Sequence, residues 1–213
     1  MMRGLCLDFD CTIVDSFQRG LKWLERIVTD MNFPYTPEMR ARIISMWGDK
    51  PIDIITRMWP DGDCELINKM WHDDGDAPIP LVPGGFEAMV KLFCNFHLSI
   101  LTSRGRDSLL FHIDSYKYLF KFVIAFGDID FHKPDPRSIE AVIERYKILG
   151  VKREEIIYVG DTPHIDWPPA KDCGIEFYGV TTGPNKREKF LEIGLDENHI
   201  LDSIADLPDV LLK

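Results

Sequence analysis

The chain has 213 residues, 45% of them hydrophobic, and its 25 Lys and Arg stand against 35 Asp and Glu for a formal net charge of −10. That length suits one large α/β domain, or one good core with a small second lobe, and the acidic balance argues against nucleic acid or an anionic membrane as the main partner. Five cysteines without a C-x-x-C pair fit a reducing compartment, the few apolar residues before Asp8 are too short for a secretory signal, and no apolar run approaches membrane-spanning length, so a cytoplasmic protein is expected.

The first predicted element is a strand, LCLDF, which stops at two aspartates, Asp8 and Asp10, on either side of Phe9. Neighbouring carboxylates at the mouth of a buried strand repel each other and lose hydration, so a cation or a reactive partner is expected beside them. An Asp-rich turn explains the same residues equally well. Helices dominate the next segment, about residues 16 to 80. Phe17, Leu21, Leu24, Val28 and Met31 line one face of a long helix, and Thr36-Pro37 reads as a cap with proline at the first helical position. Further helical stretches cover Met39 to Trp47, Pro51 to Met58 and Cys64 to Trp71. Trp23, Trp47, Trp59 and Trp71 read as packing for a small lobe more readily than as a substrate wall. Asp73, Asp74 and Asp76 lack the remaining ligands of a calcium loop and read as a solvated hinge.

From about residue 81 strand and helix alternate. A helix with Phe86, Met89, Val90 and Phe93 on one face leads to the strand LSILT, then to FVIAFG. Lys133 precedes a proline, which biases it toward extended backbone, and Asp135-Pro136 reads as the cap of a helix whose Ile139, Val142, Ile143 and Tyr146 share a face. The strands IIYVGD and FYGVTTG follow. Continuously apolar strands alternating with amphipathic helices predict a doubly wound parallel sheet covered on both faces.

Ligands of such sheets lie beyond the carboxyl ends of the strands. That end receives Asp8 and Asp10, then Thr102 and Ser103 from LSILTSR, and Asp161 and Asp166 from IIYVGDTPHID, with Lys133 between them in sequence. Carboxylates are competent nucleophiles toward phosphorus, forming an acyl phosphate that water then breaks. Mg²⁺, a hard ion taking oxygen ligands, suits the acidic cluster, and a lysine compensates both the nucleophile and the phosphoryl oxygens. Arg104 could bind a substrate anion, but reads more simply as a solvated arginine at a helix start. His164 is as readily a loop histidine as a phosphate contact.

The ordered set DFDCT, ILTSR, HKPDP and VGDTPHID resembles the haloacid dehalogenase-like superfamily, and its spacing is close to that of the phosphoglycolate-phosphatase-like branch. The resemblance implies a Rossmann-like core over residues 1–15 and 81–213, with an α-helical cap over 16–80 inserted after the first strand. It implies a Mg²⁺-dependent hydrolase of small phosphorylated metabolites. Asp8 is then the nucleophile that carries an aspartyl phosphate, and Asp10 the acid/base. Thr102, Ser103 and Lys133 bind the phosphoryl group, and Asp8, Asp10, Asp161 and Asp166 form the metal site. Two features depart from the pattern: Cys11 stands where glycine is usual, and Asp166 follows Asp161 by five positions instead of four. The alternatives are a phosphomutase of the same superfamily and a non-catalytic phosphometabolite-binding domain. A dehalogenase or phosphonatase is disfavoured by the presence of Asp10.

Overall fold

The computed structural model describes residues 2–72 and 78–213, so the acidic stretch at Asp73, Asp74 and Asp76 lies outside the described residues. One compact unit runs through Asp15 and resumes at Pro78, and the other begins at Ser16.

The first unit is built on six strands: β1 (Arg3–Leu7), β2 (Phe96–Gly105), β3 (Phe120–Phe126), β4 (Ile156–Gly160), β5 (Glu176–Val180) and β6 (Ile200–Leu201). They form one parallel sheet in the order β3-β2-β1-β4-β5-β6. Among them run α5 (Gly85–Phe93), α6 (Arg106–Ile113), α7 (Arg137–Ile148), α8 (Pro163–Asp172), α9 (Arg187–Glu192) and α10 (Leu207–Leu211). β1 is central, flanked by β2 and β4, so the chain reverses its direction of travel across the sheet there. This is the topological switch point, where the helices leaving adjacent strands splay apart and open a crevice. Leu5, Cys6 and Leu7 are fully buried, as are Ile156 to Val159. Strands walled on both faces therefore read as unbroken apolar runs. One layer of core contains Leu5, Leu7, Met89, Leu92, Ile157 and Val159, and the other contains Cys6, Ile139, Val142, Tyr146 and Tyr158.

All four residues expected on the buried face of α7 are buried. The face expected for α5 is corrected. Ala88, Met89 and Leu92 are buried, whereas Phe86 and Val90 are exposed. In the sequence GFEAMVKLF apolar residues occur on nearly every side of the helix, so two overlapping stripes fit and the longer side chains favour the wrong one. Residues 78–80 belong to this unit rather than to the helical segment. Asp15 N–H donates to the Pro80 carbonyl at 2.8 Å, Val82 N–H donates to that of Ile13 at 3.0 Å, and Val14 bridges Leu81.

The second unit consists of α1 (Phe17–Asp30), α2 (Pro37–Ser45), α3 (Pro51–Met58) and α4 (Cys64–His72). Leu21, Leu24, Ile27, Val28, Ile43, Ile54, Ile55, Trp59 and Ile67 make its own core. Thr36 caps α2 by accepting the Met39 N–H at 3.2 Å. The tryptophans pack within the unit. Trp23 Nε1 donates to the Met70 carbonyl at 3.0 Å, Trp59 Nε1 to that of Pro34 at 2.9 Å, and Trp47 meets Phe17 and Trp71 edge-on. No helix among the described residues is long and apolar enough to cross a membrane.

Candidate active site

β1 ends where Leu7 lies opposite Val159, and Asp8 N–H continues the ladder by donating to the Val159 carbonyl at 2.8 Å. The chain then turns sharply. The N–H groups of Thr12, Ile13 and Val14 all point at the Phe9 carbonyl, at 3.3, 2.9 and 3.2 Å, and Cys11 takes a left-handed conformation with φ of 59°. Phe9 is fully buried beneath this turn and anchors it, which leaves Asp8 at the crevice.

From the other side of the switch point, β4 delivers Asp161, and Thr162 begins α8 with Pro163 at its first position. Asp166 lies in that first turn. Helical side chains lean back toward the helix N-terminus, which returns the Asp166 carboxylate to the end of β4 despite the longer spacing. There the Thr162 N–H donates to Asp166 Oδ2 at 2.9 Å. Gly160 leaves the space this requires, because a Cβ at that position would collide with the Asp166 carboxyl group. Gly160→Ala is accordingly expected to destabilise the protein by about 1–3 kcal/mol through overpacking, seen as a fall of several degrees in the thermal midpoint. An unchanged midpoint would show that Asp166 is free to move.

Lys133 joins the two sides. Its Nζ donates to Asp8 Oδ1 at 2.8 Å, to Asp166 Oδ1 at 2.7 Å and to the Tyr158 hydroxyl at 3.0 Å, with the side chain 4% exposed. Ligand oxygens of Asp8, Asp161 and Asp166 all lie within 4.8 Å of one another. One ammonium thus faces three buried carboxylates, an excess of two negative charges. Burial pushes the Asp8 carboxyl up to about 7 despite Lys133 beside it, with the Asp166 charge adding to the rise. Burial likewise holds Asp161 well above the usual carboxylate range, reinforced by Asp8 and Asp166. For Lys133, burial alone would favour the neutral amine. Asp166 and Asp8 outweigh it, and the net shift is upward. The direction for Asp8 is thus set by loss of hydration, which the one ammonium shared among the carboxylates does not offset.

Asp161 Oδ1 accepts the Thr162 hydroxyl proton at 3.2 Å, while Oδ2 is buried with no hydrogen-bond partner among the described residues. Gly183 leaves room beside that oxygen, since a Cβ there would run into it. An orphaned buried carboxylate oxygen within an anionic cluster is the donor set of a hard divalent cation.

The other residues singled out in the sequence are placed differently. The Asp10 carboxylate is not among the three clustered ones. It is held by Arg104, whose Nη2 and Nε donate to its two oxygens at 2.7 and 3.1 Å. The reading of Arg104 as a solvated helix-start residue is corrected. Its side chain is 14% exposed, its Nη1 also donates to Ser108 Oγ at 2.9 Å and lies 3.3 Å from His112 Nε2, and the guanidinium stands over the Phe9 ring. Thr102 is buried at the end of the apolar part of β2 and accepts the Arg104 N–H at 3.1 Å, whereas Ser103 and His164 are exposed. Tyr158 was not anticipated. Its signal was one polar-tipped residue in the otherwise aliphatic strand IIYVG.

Residues 5–180 match the sequence profile of the haloacid dehalogenase-like hydrolases. Pyrophosphatase PpaX of Halalkalibacterium halodurans is 30% identical over 121 residues, covering 54% of this chain and 52% of that protein. The chain therefore spans about half the length of the curated relatives it matches. Among solved structures, one assigned as a haloacid dehalogenase-like hydrolase from Bacteroides fragilis superposes with a TM-score of 0.80 at 22% identity, covering 97% of this chain and 100% of that one. The magnesium-bound structure assigned as the HAD-hydrolase YfnB of Bacillus subtilis gives 0.76 at 21% identity, covering 99% and 98%. Both likenesses concern the fold.

Proposed function

The chain belongs to the haloacid dehalogenase-like hydrolase family, and from that premise we propose that it hydrolyses small-molecule phosphomonoesters through an aspartyl phosphate on Asp8. The observation that carries this reading is the single ammonium among three buried carboxylates, one of which has an oxygen without a partner among the described residues. Uncompensated buried charges are costly, and a divalent cation together with a phosphate dianion makes chemical sense of them.

In the proposed reaction an Asp8 carboxylate oxygen forms a bond to phosphorus as the ester oxygen–phosphorus bond breaks. Asp10, once turned from Arg104 and protonated, gives the departing oxygen its proton, then takes a proton from the water that cleaves the acyl phosphate, so one carboxyl serves both halves of the cycle. Lys133, Thr102 and Ser103 hold the phosphoryl oxygens as negative charge moves across them. Asp8 and Asp161 would hold Mg²⁺ directly. Asp166 has donors on both oxygens and suits contact through water. With the Asp10 carboxylate taken up by Arg104, any contribution from that residue to the metal would come from its main-chain carbonyl. When bound, the metal supplies positive charge to the phosphoryl oxygens. The helical unit is proposed as the cap that governs the choice of phosphorylated metabolite.

The test is hydrolysis of an aryl phosphate in chelator and again with Mg²⁺. Chelation is expected to abolish it, and Mg²⁺ to restore it better than Ca²⁺, whose looser coordination misplaces the reacting atoms. Full activity in excess chelator would overturn the metal assignment. Metabolite binding without any hydrolysis would favour a sensor, and an isomeric sugar phosphate in place of free phosphate would favour a mutase. A pH dependence accompanies the metal. Asp8 titrates at about 7 in the metal-free fold against an ordinary value of 3.8. Stability from the protonated form is therefore complete below about pH 4 and is lost as pH rises toward 7. Mg²⁺ displaces that proton, so its stabilising effect on the thermal midpoint should grow between pH 5 and about pH 8. An effect independent of pH would place the metal elsewhere.

A further inference from the structure

The Lys133 ammonium has three N–H donors and no other capacity, and the fold gives it three partners. Two are carboxylate oxygens, Asp8 Oδ1 at 2.8 Å and Asp166 Oδ1 at 2.7 Å. The third is the Tyr158 hydroxyl at 3.0 Å, which accepts from Lys133 while donating its own proton to Asp166 Oδ1 at 2.7 Å. Tyr158 is fully buried, with its ring against Phe177, so the hydroxyl has a fixed position. The proposed reaction, on which this inference rests, asks Lys133 to hold a phosphoryl oxygen as well. No N–H remains for it unless one bond is exchanged. All three bonds have a charged donor, but only the two carboxylates also carry charge on the acceptor, so the neutral hydroxyl is held by the weakest attraction. The bond to Tyr158 is therefore the one that yields.

We propose that Tyr158 is a positioning residue that occupies the third N–H of Lys133 in the free protein and surrenders it to a phosphoryl oxygen of the arriving substrate. The hydroxyl keeps the ammonium aimed between Asp8 and Asp166 until then, at the cost of weaker ground-state phosphate binding. Tyr146 is an internal control. It is equally buried in the same layer of core, but its hydroxyl bonds Ser99 Oγ at 2.7 Å and the His97 carbonyl at 2.8 Å, away from the carboxylates.

The experiment compares the full chain with Tyr158→Phe and Tyr146→Phe in the presence of Mg²⁺. Inorganic phosphate is the probe, followed by calorimetry and by inhibition of aryl phosphate hydrolysis. A hydrogen bond involving a charged group has a net worth of at least about 1.5 kcal/mol. Removing the hydroxyl should therefore tighten phosphate binding roughly tenfold and lower KM by a similar factor, with kcat not increased. A merely structural tyrosine would leave affinity unchanged or weaken it. Tyr146→Phe is expected to leave it unchanged. Unchanged or weaker phosphate binding by Tyr158→Phe, the same shift in both variants, or failure of Tyr158→Phe to fold where Tyr146→Phe folds would each overturn the proposal. If the wild-type chain itself neither binds phosphate nor hydrolyses the ester, the phosphatase reading falls and this proposal with it. A wild type that does both beside an indifferent Tyr158→Phe sinks the proposal alone.

Discussion

Asp8→Asn is expected to lower turnover by on the order of 10⁴-fold or more, the scale of losing a catalytic nucleophile, and to eliminate any covalent phosphoenzyme. The substitution is nearly isosteric, and Asp8 is 6% exposed, so no cavity forms. What disappears is the attacking carboxylate. Asp10→Asn separates the two roles. With an aryl phosphate whose leaving group needs little protonation, it should still form the aspartyl phosphate but break it slowly. Rapid mixing should then show a burst of phenolate close to one equivalent, followed by near-arrest, with mass spectrometry placing the phosphate on Asp8. A burst from Asp8→Asn, or undiminished steady cycling by Asp10→Asn, would show the roles to be misassigned. Stability supplies an independent check. Because burial raises the Asp8 carboxyl to about 7, the metal-free wild type carries a penalty that grows as pH rises from about 4 to 7. The neutral amide carries none, so metal-free Asp8→Asn should be more stable than the wild type at pH 8.

The sheet was legible because strands covered on both faces have to be apolar throughout, as Leu5 to Leu7 and Ile156 to Val159 are. The carboxyl-end rule then places Asp8, Thr102 and Asp161 without knowledge of any side-chain direction. Direction is where the sequence runs out. Arg104 sits two residues past Thr102, yet whether its guanidinium turns outward or back to Asp10 depends on how α6 leaves β2 and on the side of that helix that carries Ser108 and the buried His112. Tyr158 hides inside a strand pattern that demands only bulk. α8 runs through Pro168 and Pro169, which would normally break a helix. Having no main-chain N–H, they cannot donate to the carbonyls four residues earlier in its first turn. Cys11, at a position where the resemblance leads one to expect glycine, does adopt the left-handed backbone that favours glycine, at roughly 1–2 kcal/mol for an L-residue. The turn geometry beside Asp8 is therefore retained although the residue that ordinarily permits it is not.

Lys133→Met is expected to cost at least about 100-fold in kcat, the scale of one preorganised electrostatic group, and Lys133→Arg to retain some function. The deeper consequence is in the metal-free fold. Among the described residues Lys133 is the one cation that bonds the buried Asp8 and Asp166 directly, and removing one partner of a buried ion pair costs about 3–5 kcal/mol because the others are left uncompensated. Methionine fills a similar volume, so the loss is electrostatic and must depend on pH. Without the ammonium the carboxyls of Asp8 and Asp161 rise further above their unfolded values. Stability is then retained below about pH 4, where they become protonated in both states, and falls more steeply than in the wild type as pH increases. Unfolding of the two proteins by denaturant, in chelator, should give midpoints that converge near pH 4 and diverge steadily toward pH 8. Mg²⁺ should narrow the gap by supplying positive charge from another source. Parallel profiles across that range, or turnover near the wild-type rate, would make Lys133 an ordinary buried residue and remove the electrostatic basis of the site.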